Sequence, residues 1–246
     1  MYSLGNLKLS LFALVVAGSF TACSDDDSEP VLTNNQSKLG IYAQASYLPN
    51  SEDAQRSSVV ELSRFLVNIK EIELEYDTII DDDNLYGSDD EIELKGPFEL
   101  DLLSSEPIQI VDVVLPNGVL EEIEFEFDKN ENPSSELYKQ SMRMEGTISG
   151  TPFVFWHDFE EEIELEFEDA LDNGMIIEGD NGILINFDLY QVLNGTAGVD
   201  LSTAVDGNGD GIIEISPNDQ DGNRNLAEAM KQAIKSQIDI LEDLYD

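Results

Sequence analysis

The chain has one cysteine, one histidine and one tryptophan in 246 residues, and 12 basic side chains against 53 acidic ones. Each scarcity closes off a class of function. A lone thiol excludes internal disulfides, so stability must come from packing or bound ions. One histidine and one cysteine are too few ligands for a zinc site. A formal charge of −41 excludes nucleic acid as a partner, because phosphate binding demands clustered Lys and Arg. The same charge disfavours adsorption to anionic lipid. It makes divalent cations the natural counter-charges and folding sensitive to ionic strength. Glycine fingerprints for dinucleotides and nucleoside triphosphates are missing. So is the G-x-S-x-G elbow that would make His157, flanked by Trp156 and Asp158, part of a Ser-His-Asp set. The uncharged run Leu9–Phe20 falls short of the roughly 20 apolar residues a membrane-spanning helix needs.

What is present begins at the N-terminus. Lys8 precedes that apolar run, small residues lead to Cys23, and Ser24 is followed by Asp25, Asp26 and Asp27. These are the proportions of a secretory signal. Thr21-Ala22-Cys23 resembles the end of the lipobox cut by lipoprotein signal peptidase, with Phe20 where Leu is usual. The resemblance implies a signal peptide over residues 1–22 and a lipid on Cys23. Acylation also removes the liability of an odd thiol in an exported chain. Mature lipoproteins carry at least two acyl chains, enough for stable attachment. The acidic triplet resembles the surface-export signal of lipoproteins from Bacteroidota-type bacteria, which implies the outer face of the outer membrane. Residues 23–37, polar and containing Pro30, read as the lipidated cysteine followed by an acidic, flexible tether.

From Leu39 the hydrophobic pattern has period two. Ile41–Tyr47 is a first strand, followed by a polar loop at Asn50–Ser58. Phe65, Val67 and Ile69 alternate, then Ile72, Leu74 and Tyr76 continue with the phase shifted by one. Such a shift marks a bulge near Lys70-Glu71, or a break into two strands. Asp81, Asp82 and Asp83 lie in a polar turn region. Further alternating runs are centred on Leu94, Leu100, Ile110, Phe125, Phe155, Leu165 and Ile185, separated by Gly, Pro, Asn and Asp clusters. The expected fold is mainly β, an antiparallel β-sandwich over 38–205, with a C-terminal amphipathic helix. An aromatic platform at Phe153, Phe155 or Trp156 would stack on sugar rings, although such alternation is more often core.

Glutamate-rich strings recur at Glu71, Glu91, Glu122 and Glu162, at separations of 20, 31 and 40 residues. That is no fixed period, so a solenoid is disfavoured. Each string reads as a strand with one apolar face and one glutamate face turned to water. Outward carboxylates also resist edge-to-edge strand addition. Whether such rows bind a cation or a basic partner stays open at this point. Over 223–246 the apolar residues Leu226, Met230, Ala233, Ile234, Ile238, Leu241, Leu244 and Tyr245 fall at three- and four-residue steps. They predict one helix, with Asn225 as N-cap and Glu228 completing a capping box. Acidic residues at its end oppose the helix dipole.

The strongest chemical motif is D-G-N-G-D-G-I-I-E, in the segment 206–222. Side-chain oxygens of Asp206, Asn208 and Asp210 converge if Gly211 makes a sharp turn. The Ile212 carbonyl and the Glu214 side chain then fill most of a calcium shell. The motif resembles the calcium loop of EF-hand and dockerin-like modules, but Pro217 stands where a bidentate Glu is expected, and no helix clearly precedes it. Asn218, Asp219 or Asp221 would supply the missing oxygens, with Asp219 the first choice. Without an ion the carboxylates repel one another and the glycines cost ordering entropy.

Lipobox, acidic tether, the V-N-I-K-E-I-E-L-E-Y, F-E-L-D-L-L and L-P-N-G-V-L-E-E-I-E-F-E-F segments, and the D-G-N-G-D-G-I-I-E-I-S-P loop together resemble a group of Bacteroidota lipoproteins. Members carry a transthyretin-like or carbohydrate-binding-like β-sandwich domain of unknown function, so the resemblance implies location and fold, not catalysis. The leading expectation is a surface-anchored, calcium-stabilised binding or structural lipoprotein. It is held to the membrane through Cys23, with a glycan or protein as ligand. The alternative is an extracellular polysaccharide hydrolase using a carboxylate pair, which requires a deep cleft and a raised carboxyl pKa. A third is a periplasm-facing assembly partner.

Overall fold

Alternating segments become strands, and their shared apolar faces meet in one core. The computed structural model describes residues 36–47, 60–78, 89–167, 174–194 and 198–242, all within the unit Leu32–Asp246. The signal peptide, Cys23, the acidic triplet, the Asn50–Ser58 loop and the Asp81–Asp83 turn lie outside the described residues. In chain order the strands are β1 (Gln36–Ser46), β2 (Val60–Thr78), β3 (Asp89–Asp101), β4 (Ile108–Pro116), β5 (Gly118–Phe127) and β6 (Met142–Ile148). They continue with β7 (Thr151–His157), β8 (Glu161–Glu166), β9 (Met175–Ile177), β10 (Asp180–Asp188), β11 (Ile213–Ile215) and β12 (Ile238–Glu242). Helix α1 (Leu189–Asn194) follows β10, and α2 (Arg224–Lys235) precedes β12. Among the described residues no helix is long and apolar enough to cross a membrane.

The larger sheet is built on the long strand β2. Strand β3 lines one edge of it, while β5 and then β6 line the other. Beyond them come β8 and β9 beside β5, β7 beside β6, and β11 beside β7. The smaller sheet runs β12-β10-β1-β4. Phe187 of β10 joins the two, with its ring 5.7 Å from Phe65 and 6.4 Å from Phe127 in edge-to-face contact. The result is a mainly-β, sandwich-like fold with a curled larger sheet.

The register of β2 slips between Ile69 and Glu71 against both β3 and β5. Against β5 Lys70 is the extra residue, placed where the apolar phase changes; against β3 the extra residue lies on β3, where Gly96 and Pro97 together face Lys70. The bulge keeps Phe65, Val67 and Ile69 in the core and then turns Ile72, Leu74 and Tyr76 into the same core. A second slip in β5 leaves Glu121 unopposed between Leu120 and Glu122.

Four features depart from the sequence expectation. Strand β1 starts at Gln36, not after a tether ending at Ser37; Ser37 is buried, donating to Asn117 Oδ1 (2.7 Å) and accepting from the Gly179 amide (2.8 Å). Two ladders, β1 with β10 and β7 with β11, are parallel. The C-terminal helix stops at Lys235, and Ile238–Glu242 forms β12 against β10. Ile238-Asp239-Ile240 fits either period, and the β10 edge decides by supplying backbone partners. Finally, Asn223 and not Asn225 precedes α2, and Glu228 pairs with His157 and Lys231 instead of closing a capping box. Leu244, Tyr245 and Asp246 lie outside the described residues.

Candidate metal centre and glutamate face

The loop after Val205 folds on its own side chains. Asp206 Oδ1 accepts from the amides of Gly209 (2.7 Å) and Asp210 (3.2 Å), and Oδ2 from Gly211 (2.9 Å). Asn208 Oδ1 accepts from the same Asp210 amide at 2.9 Å, which makes it a neighbour of Asp206 Oδ1. Asp210 Oδ1 takes the Ile212 amide at 2.9 Å. Gly211 has φ of +91°, the left-handed turn expected of the sixth loop position and one that L side chains rarely adopt. The structure therefore brings Asp206, Asn208 and Asp210 together around one chain reversal.

The other proposed ligands have different work. The Glu214 carboxylate accepts from Ser216 Oγ (2.7 Å) and from Gln220 Nε2 (3.1 and 3.0 Å). Asp219 accepts the first amide of α2, from Arg224, at 2.9 Å. Asp219 thus satisfies an amide at the start of the helix. Asp221 is the residue that closes the loop. It is buried, and its two oxygens accept from Asn208 (3.1 Å) and Glu214 (2.7 Å), pinning both arms. A Cβ on Gly207 would sit 2.3 Å from the Asp221 carbonyl oxygen, so only glycine lets this approach happen. Asn223 clamps the base by donating to the carbonyls of Val205 (2.7 Å) and Glu214 (2.8 Å).

A large charged feature among the described residues lies on the outer face of the larger sheet. Its register sets Glu93, Glu73, Glu124 and Glu164 side by side across β3, β2, β5 and β8. Glu91, Glu75, Glu122 and Glu166 form the next row, and Lys95, Glu71, Glu126 and Glu162 the third. Eleven glutamates and one lysine thus occupy a grid with about 4.8 Å between strands and about 6.8 Å between rows. Like charges directly opposite one another are destabilising by roughly 0.2–1 kcal/mol per pair. Two groups, Glu71 with Glu73 and Glu93, and Glu122 with Glu124 and Glu164, each bring three carboxylate oxygens within 4.8 Å of one another. Acidic groups able to hold a metal ion are therefore present here, away from the loop.

The electrostatics follow from that crowding. The Glu73 carboxyl is pushed up to about 7, first by sharing a hydrogen bond with Glu91 and then by burial and the surrounding charges. Glu122 also rises to about 7, chiefly through burial, with Glu124, Glu164 and Glu75 adding to it. Among the described residues, counter-charge lies at one end of the grid. Lys95 Nζ is 2.7 Å from Glu93 and 3.4 Å from Glu71, and Lys70 Nζ is 2.6 Å from Glu126. Glu71 Oε1, the oxygen that faces Lys95, is out of contact with solvent and has that long ion pair in place of a well-formed hydrogen bond.

His157 is buried and plays a different part. Its Nδ1 accepts the Asp158 amide at 3.0 Å, which leaves Nε2–H to face Glu228 Oε1 at 3.2 Å. The nearby hydroxyl of Ser141 bonds the His157 carbonyl, not the ring, so these groups form no Ser-His relay. Phe153 and Phe155 are core residues.

No family model matches this chain, and no curated protein or solved structure is significantly similar to it.

Proposed function

We propose that this chain is a cell-envelope lipoprotein, anchored through a lipid on Cys23 and displayed at the cell surface, whose β-sandwich is a non-catalytic binding module stabilised by calcium. The anchor rests on the Thr21-Ala22-Cys23 segment, and the observation that supports the calcium-binding part best is the glutamate grid. A sheet that sets carboxylates opposite carboxylates over four strands gains most from a divalent counter-ion. Calcium takes six to eight oxygen ligands in flexible geometry, which suits exposed carboxylates better than the strict octahedron of magnesium.

In the loop, Asp206, Asn208, Asp210 and the Ile212 carbonyl would hold a second ion. The hydrogen bonds that now orient Asp206, Asn208 and Asp210 each leave a lone pair on the accepting oxygen. An ion there would cancel the repulsion between carboxylates and stiffen the join between the larger sheet and α2.

The size of the recess on the acidic face supports ions over a polysaccharide chain as its occupant. The recess among Glu73, Glu75, Glu91 and Glu124 encloses about 240 Å3, below the roughly 300–1,000 Å3 of ordinary ligand pockets. Fractionation tests the anchor: Cys23→Ala should move the protein from the membrane to the soluble fraction. Calorimetric calcium titrations of wild type, Asp206→Asn/Asp210→Asn and Glu73→Gln/Glu124→Gln test the ion sites. Each pair of substitutions should remove a separate part of the binding, and an unaltered isotherm in both would refute the assignment.

A further inference from the structure

One end of each sheet is a strand whose outer edge pairs with no other described strand, and these two edges face each other. β8 ends the larger sheet and β12 ends the smaller one. Between them lies a cleft of about 490 Å3 lined by Glu164–Phe167 of the first edge and Ile238–Ile240 of the second.

The register shows which backbone groups the cleft receives. The Phe167 amide donates to the Glu121 carbonyl, so Leu165 and Ile163 also bond inward to β5, because hydrogen-bonded pairs alternate along an antiparallel ladder. The N–H and C=O groups of Glu162, Glu164 and Glu166 therefore point away from β5, and no described residue pairs with them. By the same alternation, the Asp188 amide bonded to Gln237 leaves the backbone of Ile238 and Ile240 facing outward from β10.

Side chains add a second, independent pattern. On the core side the cleft offers Leu165 and Ile240, both only partly buried, beside buried Phe167 and Ile238. On the outer side it offers Glu162, Glu164 and Glu166, all exposed, with exposed Asp239 opposite. We propose that this cleft is a docking site for an extended segment of a partner protein in which apolar and basic residues alternate. The segment adds to the β8 edge. Its backbone pairs with Glu162, Glu164 and Glu166, its apolar side chains fill the gap beside Leu165 and Ile240, and its basic side chains lie against the outer carboxylates. Strand addition of this kind takes affinity from main-chain bonds and specificity from alternate side chains. A basic partner strand suits this edge better than a second copy of this chain, since β8 against β8 would add another row of opposed glutamates to a face already crowded with them.

The probe is a nine-residue peptide of alternating lysine and valine, titrated into the purified protein at low and high salt. Binding should protect the amides of Glu162, Glu164 and Glu166 from hydrogen exchange. Glu164→Pro removes one outward amide without touching the β5 ladder and should weaken binding at least about tenfold, the scale of one or two hydrogen bonds. Glu164→Gln keeps the amide and should weaken binding less. Should the proline variant fold poorly, N-methylation of alternate peptide residues tests the same bonds on the wild type. Equal binding of the methylated peptide, or protection spread over the glutamate grid instead of the β8 edge, would reduce the interaction to charge adsorption and overturn the proposal. So would a lack of binding at low salt.

Discussion

His157 Nε2 lies 3.2 Å from Glu228 Oε1, and this contact ties the end of β7 to the second turn of α2. Around it Lys231 bridges Glu228 (3.2 Å) and Glu161 (3.3 Å), and Lys235 also pairs with Glu161. One helix face is thereby fastened to both β7 and the start of β8. Glu228→Ala should cost about 1–2 kcal/mol by leaving a buried imidazole N–H unsatisfied. Urea denaturation checks this, with the midpoint falling and the slope unchanged. A midpoint equal to wild type would show that the helix docks through Ala227, Met230 and Ile234 alone.

Burial separates the two aspartates that organise the loop. Asp221 satisfies two amides from a buried position, whereas the amides held by Asp206 are exposed and turn to water when released. In chelator, Asp221→Ala should destabilise by about 2–3 kcal/mol, and Asp206→Ala by less than about 1 kcal/mol. Equal losses in denaturant melts would contradict this division.

The glutamate grid should give stability an unusual pH dependence. With carboxyls at Glu73 and Glu122 raised to about 7, the folded state binds protons that the unfolded state has already lost. Their contribution is therefore full below the ordinary carboxylate range and disappears as pH rises through about 7. Glu161 is held low by Lys235, and then by Lys231, against the opposing effect of burial; Glu228 is held low first by Lys231. Those two contribute above the ordinary range and fail as pH falls through their lowered values. Thermal melts in chelator should thus peak near pH 5 and fall on both sides. A melting temperature that climbs steadily from pH 5 to 8 would remove the grid from the account.

Divalent ions and protons should compete for the same carboxylates. In millimolar calcium the fall in melting temperature between pH 5 and 7.5 should shrink by at least about half, because the ion replaces the lost protons. Parallel pH curves with and without calcium would place any ion elsewhere.

Much of this architecture is visible in local pattern, because an apolar face written every second residue needs no knowledge of its partner. The bulge at Lys70 against β5 is legible from the phase change between Ile69 and Ile72. Strand β6 is harder to see, since Met142, Met144 and Gly146 alternate correctly but lack β-branched or aromatic bulk. The helix is over-extended because Ile238 and Leu241 satisfy a helical spacing as well as an edge strand. What sequence hides is long range. Nothing at Asp221 announces that it returns to the amide of Asn208, 13 residues earlier. The glutamate strings, irregularly spaced along the chain, reveal their alignment only through strand register.

The most direct test of the central claim is the melting temperature at pH 7.5 in chelator and in 10 mM calcium, for wild type and for Glu73→Gln/Glu124→Gln/Glu164→Gln. A site with Kd of about 10⁻⁴–10⁻³ M would add roughly 1.4–2.7 kcal/mol, or about 3–10 °C for a chain of this size. The account predicts that rise in wild type, and a triple variant that is more stable in chelator yet gains less from calcium. A wild-type protein that melts at the same temperature in both solutions would contradict it.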